Sequence, residues 1–280
     1  MSTIKVTNLQ NPSASSPAFV LNTDGTCSQL GIRNALINGN PTINQRGYVS
    51  GTATTAANEY TLDRWRVVVS GESVTWTDSE NVRTVTAPAG GVEQVIEGIN
   101  ILSGTYTLNW TGTATATVDG SSVSKGGNVT LTGGTNCTVR FSNGTFSLAQ
   151  LEPGSVATPF EHRSYGDEYL RCLRYFFRFT RESSSGHLGC MQVYSSSNVA
   201  GKFFEWPIPM RAAPTFSKFG TIRMTDSTFS SGYTASVADS QLSKFSMFAT
   251  LTGGSSLSAG NASSIYLLAD GEYIQFDAEL

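Results

Sequence analysis

Apolar and polar residues alternate over most of this chain, the period-two signature of strands with one buried face. Tyr106, Leu108 and Trp110 fall on one side of such a strand, with Thr105, Thr107 and Asn109 on the other. Trp65, Val67 and Val69 alternate likewise, Val74 and Trp76 resume after a turn near Gly71, and Val92 to Ile101 adds a mostly apolar strand. Asp119-Gly120 and Asn143-Gly144 supply the positive φ that tight hairpins require, the second joining CTVRFS to TFSLAQ. Short strands punctuated in this way predict a jelly-roll β-sandwich over residues 32–165.

The pattern changes between Leu148 and Phe177. Leu148 and Leu151 close a strand that Pro153-Gly154 stops, because proline has no N–H for a ladder and glycine permits the turn. Ser164-x-x-Asp167 then fits a capping box, in which serine oxygen and carboxylate each meet orphan N–H groups of a helix. Tyr169, Leu170, Cys172, Leu173, Phe176 and Phe177 follow at helical spacing. A second β-rich domain over 166–280 is opened by this one short helix. Its strands are RYFFRFT, LGCMQVY, KFFEWPI, Phe216 to Met224, Lys244 to Leu251, Ile265 to Leu268 and Tyr273 to Phe276, with Asp270-Gly271 joining the last two as a hairpin. Pro207, Pro209 and Pro214 mark a connection that does not lie inside a central strand.

Residues 1–31 stand apart as an extended arm. Ile4, Val6 and Leu9 form one apolar group and Phe19, Val20 and Leu21 a second, separated by Asn11-Pro12. Two short strands bury too little surface to fold alone, so the arm is expected to attach to its own chain, to identical neighbours or to a particle.

Composition narrows the function. Only 14% of residues are charged and the net charge is −3, with no basic run of the kind that neutralises nucleic-acid phosphates. Met1-Ser-Thr-Ile-Lys-Val leads into polar sequence rather than a leader's apolar core, and no apolar run is long enough for membrane insertion. The four cysteines, Cys27, Cys137, Cys172 and Cys190, contain no C-x-x-C pair and read as buried thiols, and no cofactor motif is present.

Five segments carry a resemblance: NALINGNPTINQRG at 34–47, YTLDRW at 60–65, LAQLEPGSVATPFEHRSYGDEYLRCLRYFF at 148–177, WPIPMRAAPTFS at 206–217 and the ending YIQFDAEL. Together they resemble structural proteins of tailed-bacteriophage virions, of the tail-fibre and minor structural type with a sandwich similar to carbohydrate-binding modules. The resemblance implies a fibre-like or adhesin-like component of the virion that docks by its N-terminal arm. Its implied partners are identical subunits in a trimer, other virion proteins of tail or capsid, and host surface glycan. Capsid decoration is the alternative within the same biology. The matched Asp63 and Arg64 lead into the strand through Trp65, where a bidentate Arg–carboxylate pair has a structural role.

No catalytic signature accompanies these segments. His162 lies in PFEHRSYG, within an inter-domain seam formed by Glu152, Pro159, Phe160, Glu161, His162 and Arg163, and reads as a hydrogen-bonded structural histidine. His187 and Cys190 would supply two metal ligands, which do not make a site. Glycoside hydrolysis needs two carboxylates flanking the bond, and Glu72, Asp78, Glu93, Glu97, Asp226 and Asp239 sit in no recognisable motif. Binding is therefore expected rather than turnover. Trp65, Trp76, Trp110 and Trp206 are the residues able to stack on a ligand ring, though each also suits a core. Tyr194 and Tyr233 accompany the polar loops Ser183 to Gly186, Ser195 to Asn198 and Thr225 to Tyr233, which suit an external partner.

Overall fold

The computed structural model describes residues 33–183, 186–225 and 232–280, Asp239 by its backbone only. It also gives the backbone of three short strands, β1 (Asn8–Leu9), β2 (Phe19–Leu21) and β3 (Cys27–Ser28), paired antiparallel in that order. Ile4 and Val6, and the side chains of Leu9, Phe19, Val20 and Leu21, lie outside the described residues. Among the described residues the chain is all-β apart from one short α-helix and a turn of 3-10 helix, and it divides into two compact units.

The first unit holds Glu59 of β4 (Glu59–Tyr60) and the strands β5 (Arg66–Val67), β6 (Thr75–Ser79), β7 (Val82–Ala87), β8 (Val92–Ile96) and β9 (Gly104–Thr111). These are followed by β10 (Thr115–Val118), β11 (Ser121–Val123), β12 (Gly127–Leu131), β13 (Cys137–Ser142) and β14 (Gly144–Pro153). One sheet runs β11-β10-β13-β8-β5-β4 and the other β12-β9-β14-β7-β6. The last two strands each insert between earlier ones: β13 between β8 and β10, and β14 between β7 and β9. This interleaving of β7 to β14 over two antiparallel sheets is the jelly roll, as expected.

Its core forms where the inward positions of both sheets meet. Trp65 packs at 5.1 Å from Phe146 and 6.0 Å from Phe141, and those two phenylalanines stack at 4.4 Å. Tyr106, Leu108 and Trp110 are buried together on one face of β9, as their alternation predicts. Asp119-Gly120 makes the predicted hairpin, with φ of +47° and +79° between β10 and β11. Asn143-Gly144 does not. β13 has both hydrogen-bonding edges filled by β8 and β10, so this turn carries the chain across to the other sheet instead. Three further expectations are corrected. The strand from Val92 stops at Ile96 and gives way to 3-10 helix at Gly98–Asn100. Val69 is exposed beyond the end of β5. Leu148 sits at φ +49° in a bulge of β14, between the stretch paired with β7 and the stretch paired with β9.

The second unit comprises residues 43–49, 60–64 and 164–280, so two short segments of the first half of the chain belong to it. Helix α1 (Tyr165–Leu173) begins at Ser164, whose hydroxyl accepts the Asp167 N–H at 3.2 Å. The Asp167 carboxylate accepts from that same hydroxyl at 2.6 Å, where a full capping box would have it reach the backbone. Phe176 and Phe177 do not extend the helix; they open β15 (Phe176–Thr180).

The strands β16 (His187–Val193), β17 (Asn198–Glu205), β18 (Thr215–Phe219), β19 (Ile222–Thr225) and β20 (Gly232–Leu242) come next. β21 (Ser246–Thr252), β22 (Ala262–Leu267) and β23 (Tyr273–Asp277) complete the unit. Six of these close into an antiparallel barrel, β16-β17-β21-β20-β19-β22, while β15-β23-β18 form a separate three-stranded sheet. Closure removes the free edges that an open sheet would present. Phe276 of β23 lies 4.4 Å from Trp206 within the core the barrel residues share.

Two strand assignments change as a result. Phe216 to Met224 is two strands in different sheets, broken at Gly220, whose φ is +91°. Asp270-Gly271 is no hairpin, because β22 belongs to the barrel and β23 to the three-stranded sheet. Tyr233 lies in β20 rather than a loop, and residues 226–231 are outside the described residues.

Candidate functional site

Within the second unit, residues from all five segments of the resemblance meet in one buried polar cluster. Asn44 closes a small loop with Tyr48 through two hydrogen bonds of 2.9 Å, which turns Gln45 and Arg46 inward. Gln45 donates to the Asp63 carboxylate from its backbone at 2.8 Å and from its amide at 2.5 Å, and also to the Phe176 carbonyl at 3.0 Å. Arg46 pairs with Asp277 at 2.9 Å and lies over the Phe176 ring at 3.6 Å. Arg64, fully buried at φ +71°, pairs with Glu279 and stacks at 3.6 Å on Tyr175. Tyr60 donates to the Leu280 carbonyl at 2.8 Å, and Arg211 to the carbonyls of Ala278 and Glu279 at 2.7 and 2.8 Å. Asp63 is thus bonded by Gln45 and Arg64 by Glu279.

The electrostatics arise from burial. It pushes the Arg64 guanidinium down, but Glu279, Tyr175 and Tyr60 together raise it by more, so Arg64 keeps its charge, while burial raises the Glu279 carboxyl against the pull of Arg64 and Arg46. Burial raises the Asp63 carboxyl against the opposing pull of Arg46 and the hydrogen bonds from Gln45. Charges so thoroughly desolvated survive only when paired, and this cluster ties 43–49 and 60–64 to β23 and to the last three residues, 278–280.

A second network lies within the first unit. The Asn34 side chain donates to the Ala149 carbonyl at 2.9 Å and accepts from the backbone of Leu36 and Leu151, pinning the bulge of β14. Gln94 brackets the backbone of Ile37, and the Trp65 indole donates to the Asn38 carbonyl at 2.8 Å. Glu152 is buried and accepts from the backbone and hydroxyl of Thr158 and from Gln150. Glu161 accepts from the backbone of Arg33 and Asn34 and pairs with Arg163 at 3.2 Å, while Arg163 also donates to the carbonyls of Asn34 and Leu36. His162 is exposed, and its ring meets the edge of Phe160 at 5.0 Å. Pro159 offers its carbonyl to Gln150 at 3.4 Å.

Partial burial raises the Glu161 carboxyl, but the hydrogen bonds from Asn34 and Arg33 and the charge of Arg163 outweigh it and hold the group below its ordinary value of 4.5. A depressed carboxyl contributes stability that is present above the unfolded value and lost as pH falls through the folded one. Urea unfolding between about pH 6 and about pH 3 should therefore show the sandwich weakening at the acid end. Glu161→Gln should be weaker at the upper pH and should lose that acid-dependent part; an unchanged pH slope in the variant would discount this role for Glu161.

Three of the four tryptophans are core residues. Trp65, Trp110 and Trp206 are buried, the last donating to the Ser243 carbonyl at 3.2 Å. Trp76 is half-buried on β6 with the Arg83 guanidinium 4.6 Å over its ring, itself held by Asp78 at 2.8 and 2.9 Å. Tyr194 is exposed, whereas Tyr233 packs partly against the barrel core. Three of the carboxylates weighed for hydrolysis, Glu72, Asp78 and Glu93, are engaged structurally. Glu72 accepts from the Gly90 N–H, and Glu93 is buried between Arg66 and Arg140. No side-chain cap from Glu97 starts the 3-10 turn, and Asp226 and the Asp239 side chain fall outside the described residues. His187 meets the Ser264 hydroxyl at 3.1 Å, and Cys190 is exposed on the same strand rather than buried. Cys137 and Cys172 are buried, and burial pushes the Cys137 thiol up to about 12. No group of three or more metal-ligating side chains occurs among the described residues. A cleft of about 120 Å³ beside Asp119, Thr132 and Asn136 is small against the usual size of a ligand pocket.

A partly exposed arrangement absent from the sequence-based candidates lies on the three-stranded sheet. Register places Arg178, Gln275 and Ser217 in one row and Thr180, Tyr273 and Phe219 in the row two residues along, so both rows share a face. Arg178 stacks 3.9 Å over the Tyr273 ring, and Phe219 stacks on Tyr273 at 5.6 Å. Arg178 donates to the Gln275 side-chain oxygen at 3.0 and 2.6 Å and to the Arg46 carbonyl. Burial, and after it the neighbouring Arg46, pull the Arg178 guanidinium below its ordinary value against the opposing influence of Tyr273 and Asp63. The signal was present in the alternation of TFSKF, FFRFT and YIQFD, but which phase faces outward depends on the sheet those strands join.

No protein-family model matches the chain, and no curated protein matches it.

Proposed function

We propose that this chain is a structural protein of a tailed-phage virion, a fibre-like or adhesin-like component of the tail. It attaches through the arm of residues 1–31 and presents its β-domains for assembly and for binding host surface glycan. The supporting observation is the buried cluster of the second unit, in which Gln45, Arg46, Asp63, Arg64, Phe176, Arg211 and Glu279 make one another necessary. These residues come from the five segments that carry the resemblance, and interdependence is what a shared module requires of segments so far apart in sequence. Three of the carboxylates weighed for hydrolysis lend further support, since Glu72, Asp78 and Glu93 are spent on structural bonds, which favours binding over turnover. Copies assembled as a homotrimer on one particle gain avidity from weak individual sites.

Immunogold labelling of purified virions with antibody to residues 166–280 tests the reading. Gold on the tail or its fibres, and adsorption blocked by the same antibody, are expected. Gold distributed over the head would overturn the tail assignment in favour of capsid decoration, and unlabelled virions would overturn both.

A further inference from the structure

We propose that the outward face of the β15-β23-β18 sheet binds an acidic polysaccharide, Arg178 taking the carboxylate of a hexuronate while Phe219 carries the pyranose ring beside it. The inference rests on the glycan-binding reading above and narrows it to one chemical class.

Arg178 is the centre of the site. A guanidinium has five N–H donors, and three of these are committed, two to Gln275 and one to the Arg46 carbonyl. Two remain for a ligand. No carboxylate among the described residues lies within ion-pair distance of Arg178; Asp63 acts on it from farther off, and those on the neighbouring strand and just before it are taken. Asp277 pairs with Arg46 at 2.9 Å, and Glu272 accepts the backbone N–H groups of Thr221, Leu268 and Ala269 at 2.7 to 2.9 Å. The cation is also fixed in place by its bonds and by stacking at 3.9 Å on Tyr273, so little side-chain freedom is lost on binding. A planar, immobilised guanidinium with spare donors and no directly bonded carboxylate is matched in charge and shape by a carboxylate.

Next to it lies the apolar half of the site. Tyr273 and Phe219 stack at 5.6 Å with their planes 26° apart, and Phe219 is 61% exposed. An aromatic side chain left in solvent on a sheet face presents a flat surface for the C–H face of a sugar ring. Arg178 and Phe219 sit on opposite sides of Tyr273, so the carboxylate and the stacked ring belong to neighbouring sugars of a chain. A single monosaccharide does not span both.

Calorimetric titration of the full chain with oligogalacturonate, oligomannuronate, methyl-esterified oligogalacturonate and monomeric galacturonic acid tests this. A free-acid oligomer should bind at least about tenfold more tightly than the ester or the monomer, and less tightly as salt is raised. Phe219→Ala should weaken binding by about tenfold or more while leaving thermal unfolding unchanged, and Arg178→Gln should abolish the preference for acid over ester. Because Arg178→Gln also gives up the bond to Arg46, Phe219→Ala decides the matter if the first variant does not fold. The proposal is overturned if neither uronate oligomer binds, if acid and ester bind alike, or if Phe219→Ala binds as the parent does. Binding of neutral glycan alone would defeat this inference and leave host attachment standing; attachment is judged separately, by the gold labelling of virions.

Discussion

Replacing Glu279 by alanine should lower the unfolding free energy of the second unit by about 3–5 kcal/mol, the usual effect of removing one partner of a buried ion pair. Arg64 is almost wholly buried and stays charged, so without the Glu279 carboxylate its charge is left uncompensated in a medium that solvates it poorly. Arg46, 3.7 Å from the same carboxylate, loses part of its counter-charge as well. Glu279→Gln keeps the volume and deletes the charge, and it should cost nearly as much. The double variant Arg64→Met with Glu279→Leu should cost less than either single charge deletion, because no charge is then stranded. Differential scanning calorimetry of the four proteins gives the comparison, and the Glu279→Ala transition should fall by roughly 10 °C or more. A loss below about 1 kcal/mol would mean that water reaches the pair and that the cluster is not the keystone of this unit.

Trp65→Ala should be comparably damaging to the first unit, at about 3–5 kcal/mol. The side chain is fully buried against Phe141 and Phe146, and its indole N–H is the partner of the Asn38 carbonyl. Truncation therefore opens a large cavity and leaves a buried carbonyl short of a donor. Trp76→Ala is the contrast. Its ring is half-exposed under Arg83 on β6, where loss removes one cation–π contact worth about 0.5–1 kcal/mol. Urea unfolding followed by tryptophan fluorescence would separate the two. Similar losses at both positions would show that Trp76 carries more of the fold than its exposure implies.

The two tryptophans illustrate how far sequence reading reaches. Both stand in or next to alternating stretches, and alternation alone does not say which is buried at the centre of two sheets and which rides on an outer strand. The same limit explains the two turns that make no hairpin. Asn143-Gly144 and Asp270-Gly271 have the local chemistry of hairpins, yet in both places the flanking strands pair with others far away in the chain. A turn's residues govern its backbone dihedrals; they do not govern which strand competes best for an open hydrogen-bonding edge. The polar cluster was hidden for a related reason. Arg64 and Glu279 are 215 residues apart, and neither belongs to a local pattern that announces a buried ion pair. The cluster's residues lie in stretches far apart in the chain, and none of those stretches says what joins it to the others.

Local physics was enough for the all-β class, the jelly roll, the stop at Pro153-Gly154 and the Ser164 cap. Each of these depends on the period of apolar residues, on missing donors or on dihedral preference, and such properties belong to a few consecutive residues. Tertiary structure alone decided the closing of the barrel, the passage of 43–49 and 60–64 into the second unit, the pairing of Arg64 with Glu279 and the outward phase of Arg178, Tyr273 and Phe219. Those outcomes depend on which distant surfaces meet and exclude water, and burial is a property of the assembled neighbours rather than of any residue's place in the chain.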